Sequence, residues 1–327
     1  MKTGNCEKIN NSKWNYYFLA LASGVLLFLS FPKYGSGYLA WIALIPLFLA
    51  LNSATSLRQA FLAGFICGIV FNIGLIYWIV YVVVNYGHLP YFLGVVIMLL
   101  LAAYLSLYIA FFALGIVYLR GKMPLYLLAP LLWISLEYLK SQLLTGFPWE
   151  NLGYSQYLNF YFIQFADIAG VYGMSFIIVL VNAVVCNLVI KKSKREVAAA
   201  VAVAFIMLIV YCYGYLRVNH VYRISEKFSG TDVYLVQGNI DQSVKWDGNY
   251  QKETVNIYKK LSLGNMPAPH SLIVWPETAI PFYFQDESPM QQQINEIATT
   301  TKSWLLFGSP SYVTKKREKA YYNSAYL

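Results

Sequence analysis

Seven long apolar runs fill the first two thirds of the chain and leave few folds open to it. They extend over Tyr16 to Phe31, Tyr38 to Leu51, Gln59 to Val84, Tyr91 to Leu119, Pro124 to Leu139, Ile168 to Ile190 and Val197 to Leu216. A helix that crosses the hydrocarbon core of a bilayer needs roughly 20 mainly apolar residues, so these runs are predicted to be membrane spans. The second is short and interrupted by Pro46, which reads as a broken or re-entrant segment. Hydrophobic residues make up 58% of the chain and charged residues 12%, too apolar a balance for one soluble domain. The balance is also uneven. Glu7, Glu137, Glu150, Asp167 and Glu196 are the acids before residue 218, and the rest of the 15 follow. The reading is therefore a membrane bundle over 1–218 and a water-facing part over 229–327.

Basic residues in the loops give the bundle a direction. Lys2, Lys8 and Lys13 precede the first run, Arg58 lies between the second and third, and Arg120 and Lys122 lie between the fourth and fifth. Lys191, Lys192, Lys194 and Arg195 lie between the sixth and seventh, whereas the alternate loops are poor in base apart from Lys33 and Lys140. By the positive-inside rule the N-terminus is cytoplasmic, and seven crossings put the water-facing part on the outer face. The first run lacks a small-residue cleavage site and is read as an uncleaved span. The net charge of +9 is largely accounted for by these loops, so nucleic acid is not an expected partner. Lys315, Lys316, Arg317 and Lys319, with Glu318 among them, read as a solvated hairpin tip. The cysteines Cys6, Cys67, Cys186 and Cys212 avoid the water-facing part, and His88, His220 and His270 are scattered. No disulfide framework, metal site or cofactor is expected.

Three features of the membrane part stand out. The loop with Gly146, Phe147, Pro148 and Trp149, then Gly153, Tyr154, Ser155 and Gln156, is either an interfacial anchor or a lipid-facing wall beneath a site. Glu137 is the acid well inside a predicted span. Such a residue is a functional candidate, and the plainer reading pairs it with Lys140 or bonds it to a neighbouring helix. Gly64, Gly68 and Gly74, with Asn72, point to close helix packing.

The water-facing part changes pattern. Thr231 to Gln237 reads as a strand, Asn249 to Leu263 as a helix with Val255, Tyr258 and Leu261 on one face, and Ser271 to Val274 as a second strand. Pro289 to Thr301 reads as a helix around Ile294 and Ile297, and Trp304 to Gly308 as a third strand. Tyr312 to Thr314 and Ala320 to Leu327 flank the basic tip. Strands alternating with helices predict an α/β domain on a parallel sheet. In SLIVWPETAIPF (Ser271 to Phe282), Glu277 stands just past a strand's carboxyl end, where open α/β sheets build their sites. Partial burial there would suit a general base. Gln237, Gly238, Asn239 and Ile240 approach from the neighbouring strand. Their amides either orient a substrate or are ordinary turn chemistry.

The segments VYLVQGNIDQSVKWD (Val233 to Asp247), LIVWPETAIP (Leu272 to Pro281), GSP (Gly308 to Pro310) and YNSAYL (Tyr322 to Leu327) resemble the apolipoprotein N-acyltransferase family. GFPW at Gly146, GYSQ at Gly153 and the series Gln164, Gly170, Tyr172, Gly173, Ser175 and Phe176 resemble its membrane part. The resemblance covers nearly the whole chain. It implies about seven spans followed by a nitrilase-like α/β domain in a bacterial inner membrane, with that domain on the periplasmic face. It also implies a Glu–Lys–Cys triad, with Glu277 as the general base. The thiolate takes an acyl chain from a phospholipid donor as a thioester and passes it to the α-amino group of a diacylglyceryl-apolipoprotein. Membrane lipids are the surroundings, Trp246 matches a tryptophan near the acyl pocket, and Gln237 and Asn239 are candidate substrate contacts. Trp246 taken alone would be a core or interfacial aromatic.

The family's lysine and cysteine follow the YNS segment, and this sequence has no cysteine after Cys212. Lys245 and Lys302 do not match the lysine's position. The expectation is a truncated or split version with an incomplete α/β domain, inactive by itself. Two alternatives stay open: a membrane-tethered nitrilase-type amidase with water as the final acceptor, and a non-catalytic membrane protein retaining half a domain.

Overall fold

A computed structural model describes residues 13–228, 230–264, 267–315 and 318–327. The chain forms two compact units, Met1–Ile224 and Ser225–Leu327. The first is helical: α1 (Lys13–Leu29), α2 (Ile45–Ser53), α3 (Leu57–Ile76), α4 (Ile79–Asn85), α5 (Tyr91–Tyr118), α6 (Leu125–Lys140), α7 (Phe160–Ile163), α8 (Ala166–Lys191) and α9 (Lys194–Ser225). By length and composition α3, α5, α8 and α9 are long and apolar enough to cross a membrane. The other apolar runs form shorter helices, so among the described residues four helices have the length of a span where the sequence predicts seven. The third run does not continue to Val84 as one helix; it breaks between Ile76 and Ile79. The second run is divided, as Pro46 suggests, into a 3-10 turn over Gly37–Trp41 and α2, with the proline in the first turn of α2.

That break is stabilised from α8. The Asn182 side chain accepts from Leu44 N at 2.9 Å and donates to Ala40 O at 2.9 Å. Backbone groups exposed by a broken helix in an apolar bundle need such partners. Close packing of α3 explains its glycines. A Cβ on Gly64 would lie 2.5 Å from Ile109 O, and one on Gly68 would lie 2.8 Å from Ser106 Cα. The two helices therefore touch backbone to backbone, and Asn72 Nδ2 donates to Ser106 Oγ at 3.1 Å across the seam. The bundle core gathers Leu27, Phe31, Phe48, Phe112, Phe162 and Ile178.

The second unit contains β1 (Val233–Leu235), α10 (Gln242–Lys245), α11 (Gln251–Gly264), β2 (Leu272–Val274), α12 (Pro289–Thr301), β3 (Trp304–Lys315) and β4 (Glu318–Tyr326). They form one sheet in the order β1-β2-β3-β4. β1 pairs parallel with β2 and β2 parallel with β3, whereas β4 is antiparallel to β3. The sheet is thus mixed rather than parallel throughout. β3 continues through Pro310 to Lys315. β2 ends opposite Leu306, so beyond that point β3 pairs with β4 alone, and a two-stranded ribbon tolerates a proline. In the basic tip, Lys316 and Arg317 lie outside the described residues.

Val255 and Tyr258 of α11, Ile294 and Ile297 of α12, Ile273 and Trp275 from β2, and Leu305 and Phe307 of β3 form the core of this unit. The helical spacing locates four of these correctly. Leu261, expected on the same face, is exposed. The N-terminus of α12 is fixed by Ser288, whose side chain accepts from Gln291 N, with Pro289 at the first helical position, where its missing N–H costs nothing.

Candidate active site

Trp275 anchors the end of β2. It is 3% exposed, its ring stacks on Tyr258 at 4.7 Å between centroids, and its Nε1 donates to Ser262 Oγ at 2.9 Å. The buried indole has both its apolar faces and its one donor satisfied, so the strand's end is held firmly. The chain then turns through Pro276, Glu277 and Thr278, the last with a left-handed φ of 49°, a costly conformation for a β-branched residue. Ile280 N donates to Gly308 O at 3.2 Å. The turn lies directly on β3, because a Cβ on Gly308 would lie 2.4 Å from Thr278 N and 3.0 Å from Glu277 Cα. A side chain at 308 would displace the carboxylate.

Glu277 is exposed, so the expected partial burial is not found. The open end of a three-residue strand leaves it in solvent. What fixes it is a hydrogen bond: Asn323 Nδ2 of β4 donates to Glu277 Oε1 at 2.5 Å. Asn323 sits opposite Pro310 in the β3–β4 ladder, and its Oδ1 receives the Thr278 hydroxyl at 3.5 Å. Lys245, at the end of α10, is the charged neighbour. Burial pushes its ammonium below the usual lysine range, and the Glu277 carboxylate opposes that shift.

The end of β1 is tied to the same anchor. Val236 N donates to Val274 O at 2.9 Å and continues the pairing past Leu235. A Cβ on Gly238 would lie 2.8 Å from the Tyr258 ring, so Tyr258 supports both Trp275 and the Gly238 turn. Asn239 follows with φ 49°. Gln237 and Asn239 are exposed, and among the described residues no hydrogen bond joins either to Glu277. Trp246 is 57% exposed, which removes the core-aromatic reading. Nothing local in the sequence marks Asn323 or Gly308, whose roles arise from the β3–β4 register and from the turn packed on β3. Lys245, which does not match the family's lysine position, is nonetheless near enough to sense Glu277, and Tyr258 is a support for the Gly238 turn as well as a core residue.

In the first unit, Glu137 is buried and accepts from Trp133 Nε1 at 2.8 Å and from Leu152 N at 2.7 Å. Lys140 pairs instead with Glu150 at 3.2 Å, both buried. The plainer reading of Glu137 holds in its second form, a bond to a neighbouring segment. In the aromatic loop Trp149 is 64% exposed and stacks on Trp78 at 5.4 Å. Gln156 is structural: it accepts from Trp41 Nε1 at 3.0 Å and donates to Gly37 O at 2.7 Å. Among the described residues no group of three or more His, Cys, Asp or Glu comes together in a way that could hold a metal.

Membrane-length apolar helices followed by an α/β unit with a carboxylate at a strand's carboxyl end define a membrane protein with an appended α/β domain. Comparison with known proteins makes this specific. Residues 23–184 match the family model "Apolipoprotein N-acyltransferase N-terminal domain". The apolipoprotein N-acyltransferase of Geobacter metallireducens is 42% identical over 322 residues, which are 95% of this chain and 60% of that protein. The proteins of the same name from Pasteurella multocida and Haemophilus influenzae are 32% and 31% identical, covering 90% and 93% of this chain and 56% and 58% of theirs. Over nearly its whole length the chain is similar to apolipoprotein N-acyltransferases, and it spans about 60% of the length of the curated relatives it matches.

Proposed function

We propose that the chain serves N-acylation of lipoproteins: the transfer of a phospholipid acyl chain to the α-amino group of a diacylglyceryl-cysteine. The observation that carries this reading is the Glu277 carboxylate, held past the end of β2 by Asn323 at 2.5 Å, in a chain 42% identical to a protein of that name. Asn323 occupies Oε1 and leaves Oε2 to take a proton. Glu277 acts as the base that removes the proton of a cysteine thiol. The thiolate displaces the lipid alcohol from the acyl ester, giving a thioester and a lysophospholipid, and the amine of the acceptor then displaces the thiol. Such a base needs hydrogen-bond reach to the thiol, and a side chain fixed by one hydrogen bond at a rigid strand end suits that requirement. The triad lysine stabilises the oxyanion. Trp246, exposed beside Lys245, lies against the acyl chain, and Gln237 and Asn239 orient the substrate.

The same reading takes 1–218 as the membrane bundle, with about seven crossings and a cytoplasmic N-terminus. It takes 229–327 as the first part of a nitrilase-like domain on the periplasmic side of the inner membrane. The alternating loop charge supports this orientation. No cysteine lies in the second unit, so these 327 residues alone are expected to form no acyl-enzyme. The test joins them to the remaining 40% or so of the Geobacter metallireducens relative and supplies phospholipid vesicles with a diacylglyceryl-cysteine peptide. N-acylated peptide is the expected product. Free fatty acid in its place would favour the amidase, and no turnover with an intact fold would favour a non-catalytic membrane protein.

A further inference from the structure

At one end of the helical bundle, basic side chains from separate loops meet in a single pocket of about 340 Å³. Arg120 and Lys122 come from the turn between α5 and α6, Lys191 ends α8, and Arg195 opens α9. Four cations stand there against one acid, the buried Glu196. Glu196 is already engaged: its Oε2 accepts from Asn187 Nδ2 at 3.1 Å, and Lys191 approaches its Oε1 at 4.0 Å. Arg120 donates to the carbonyls of Leu51 and Ala54 at the end of α2, which orders the rim. Among the described residues neither Lys122 nor Arg195 has an acidic partner. A topological role would account for basic residues in these loops, but not for their convergence on one cavity. The pocket is also amphipathic: Leu51, Ile116 and Ile190 form part of its wall, at the mouth of a bundle whose outer surface is apolar.

We propose that this pocket binds the phosphate-bearing headgroup of an anionic phospholipid, with Lys122 and Arg195 on the phosphate and the glycerol end of the lipid on the apolar wall. Basic pockets between membrane helices recognise such headgroups. Arginine adds a planar fork that matches phosphate. The apolar wall favours a lipid over free phosphate. The site lies within the first unit and does not depend on the acyltransfer reading.

The test is retention of lipid by the full 327-residue chain purified in mild detergent, followed by native mass spectrometry after addition of phosphatidylglycerol or phosphatidylcholine. The wild type is expected to keep one phosphatidylglycerol in preference to phosphatidylcholine. Lys122→Gln and Arg195→Gln are each expected to weaken that retention about fivefold. Arg58→Gln, a charge removal outside the pocket, is expected to leave it unchanged, and all variants are checked for the wild-type unfolding midpoint. Equal retention of the two lipids, no change in the pocket variants, or an equal loss in Arg58→Gln would overturn the proposal. So would displacement of the bound lipid by millimolar inorganic phosphate, which would make the site one for the free ion. An unfolding midpoint lowered in both pocket variants shifts the test to Lys122→Arg. That change keeps the charge and is expected to retain the lipid; loss of lipid there would count against the site.

Discussion

Asn323 donates to Glu277 from the strand that follows β3, so the position of the candidate base depends on a residue 46 places away. A hydrogen bond to a charged group contributes about 1.5–3 kcal/mol. Asn323→Ala in the joined enzyme is therefore expected to slow acyl transfer about tenfold or more, by freeing the carboxylate rather than removing it. Asn323→Asp should be worse, because two carboxylates at this distance repel. Transfer rates with saturating peptide check both, and an Asn323→Ala rate equal to wild type would remove Asn323 from the site. The place of Glu277 just past a strand's end is legible in the sequence, since a carboxylate after a short apolar strand and a proline is a local pattern. Its partner is not. The 2.5 Å contact comes from the β3–β4 register, which no local spacing encodes. Its exposure is not local information either, because burial at a strand end depends on what covers that end.

The elements around the site turn on one aromatic stack. Trp275 and Tyr258 link β2 to α11, and the same tyrosine ring supports the Gly238 turn after β1. Trp275→Ala is expected to cost about 3–5 kcal/mol of stability in the second unit, read as a shift in the denaturant midpoint. Burial pushes the Tyr258 hydroxyl above its ordinary value, and the Gly238 backbone opposes this. With the folded value the higher one, the stabilisation is complete below the unfolded tyrosine value of about 10. It is lost as pH rises through the folded value. Chemical denaturation at stepped alkaline pH should show this loss, and Tyr258→Phe should reduce it. Helix α12 was readable to its ends because Ser288, Pro289 and the Ile294–Ile297 spacing mark it locally. The continuous β3 was not, because Pro310 reads as a stop until its position in a two-stranded ribbon is known.

Over the whole molecule, the helical membrane character is written in the apolar runs, but the breaks within them are not. One run is interrupted between Trp41 and Ile45, just ahead of Pro46, another stops at Ile76, and α1, α2 and α6 are short. Tertiary contacts such as Asn182 on Leu44 N and Ala40 O make a broken segment stable, and run length alone does not reveal them. The bundle also holds the buried Lys140–Glu150 pair. Lys140→Met would strand a buried carboxylate and is expected to cost about 3–5 kcal/mol, seen as a lower unfolding temperature in detergent. A Lys140→Met/Glu150→Gln double variant should recover much of it. The central claim, that Glu277 is the base of an acyl transfer, is tested most directly by trapping the thioester. The joined enzyme is mixed with labelled phospholipid, quenched in acid, and its bound acyl label counted. The account predicts label on the wild type and none on Glu277→Gln at equal expression and fold. Label accumulating on Glu277→Gln at the wild-type rate would contradict it.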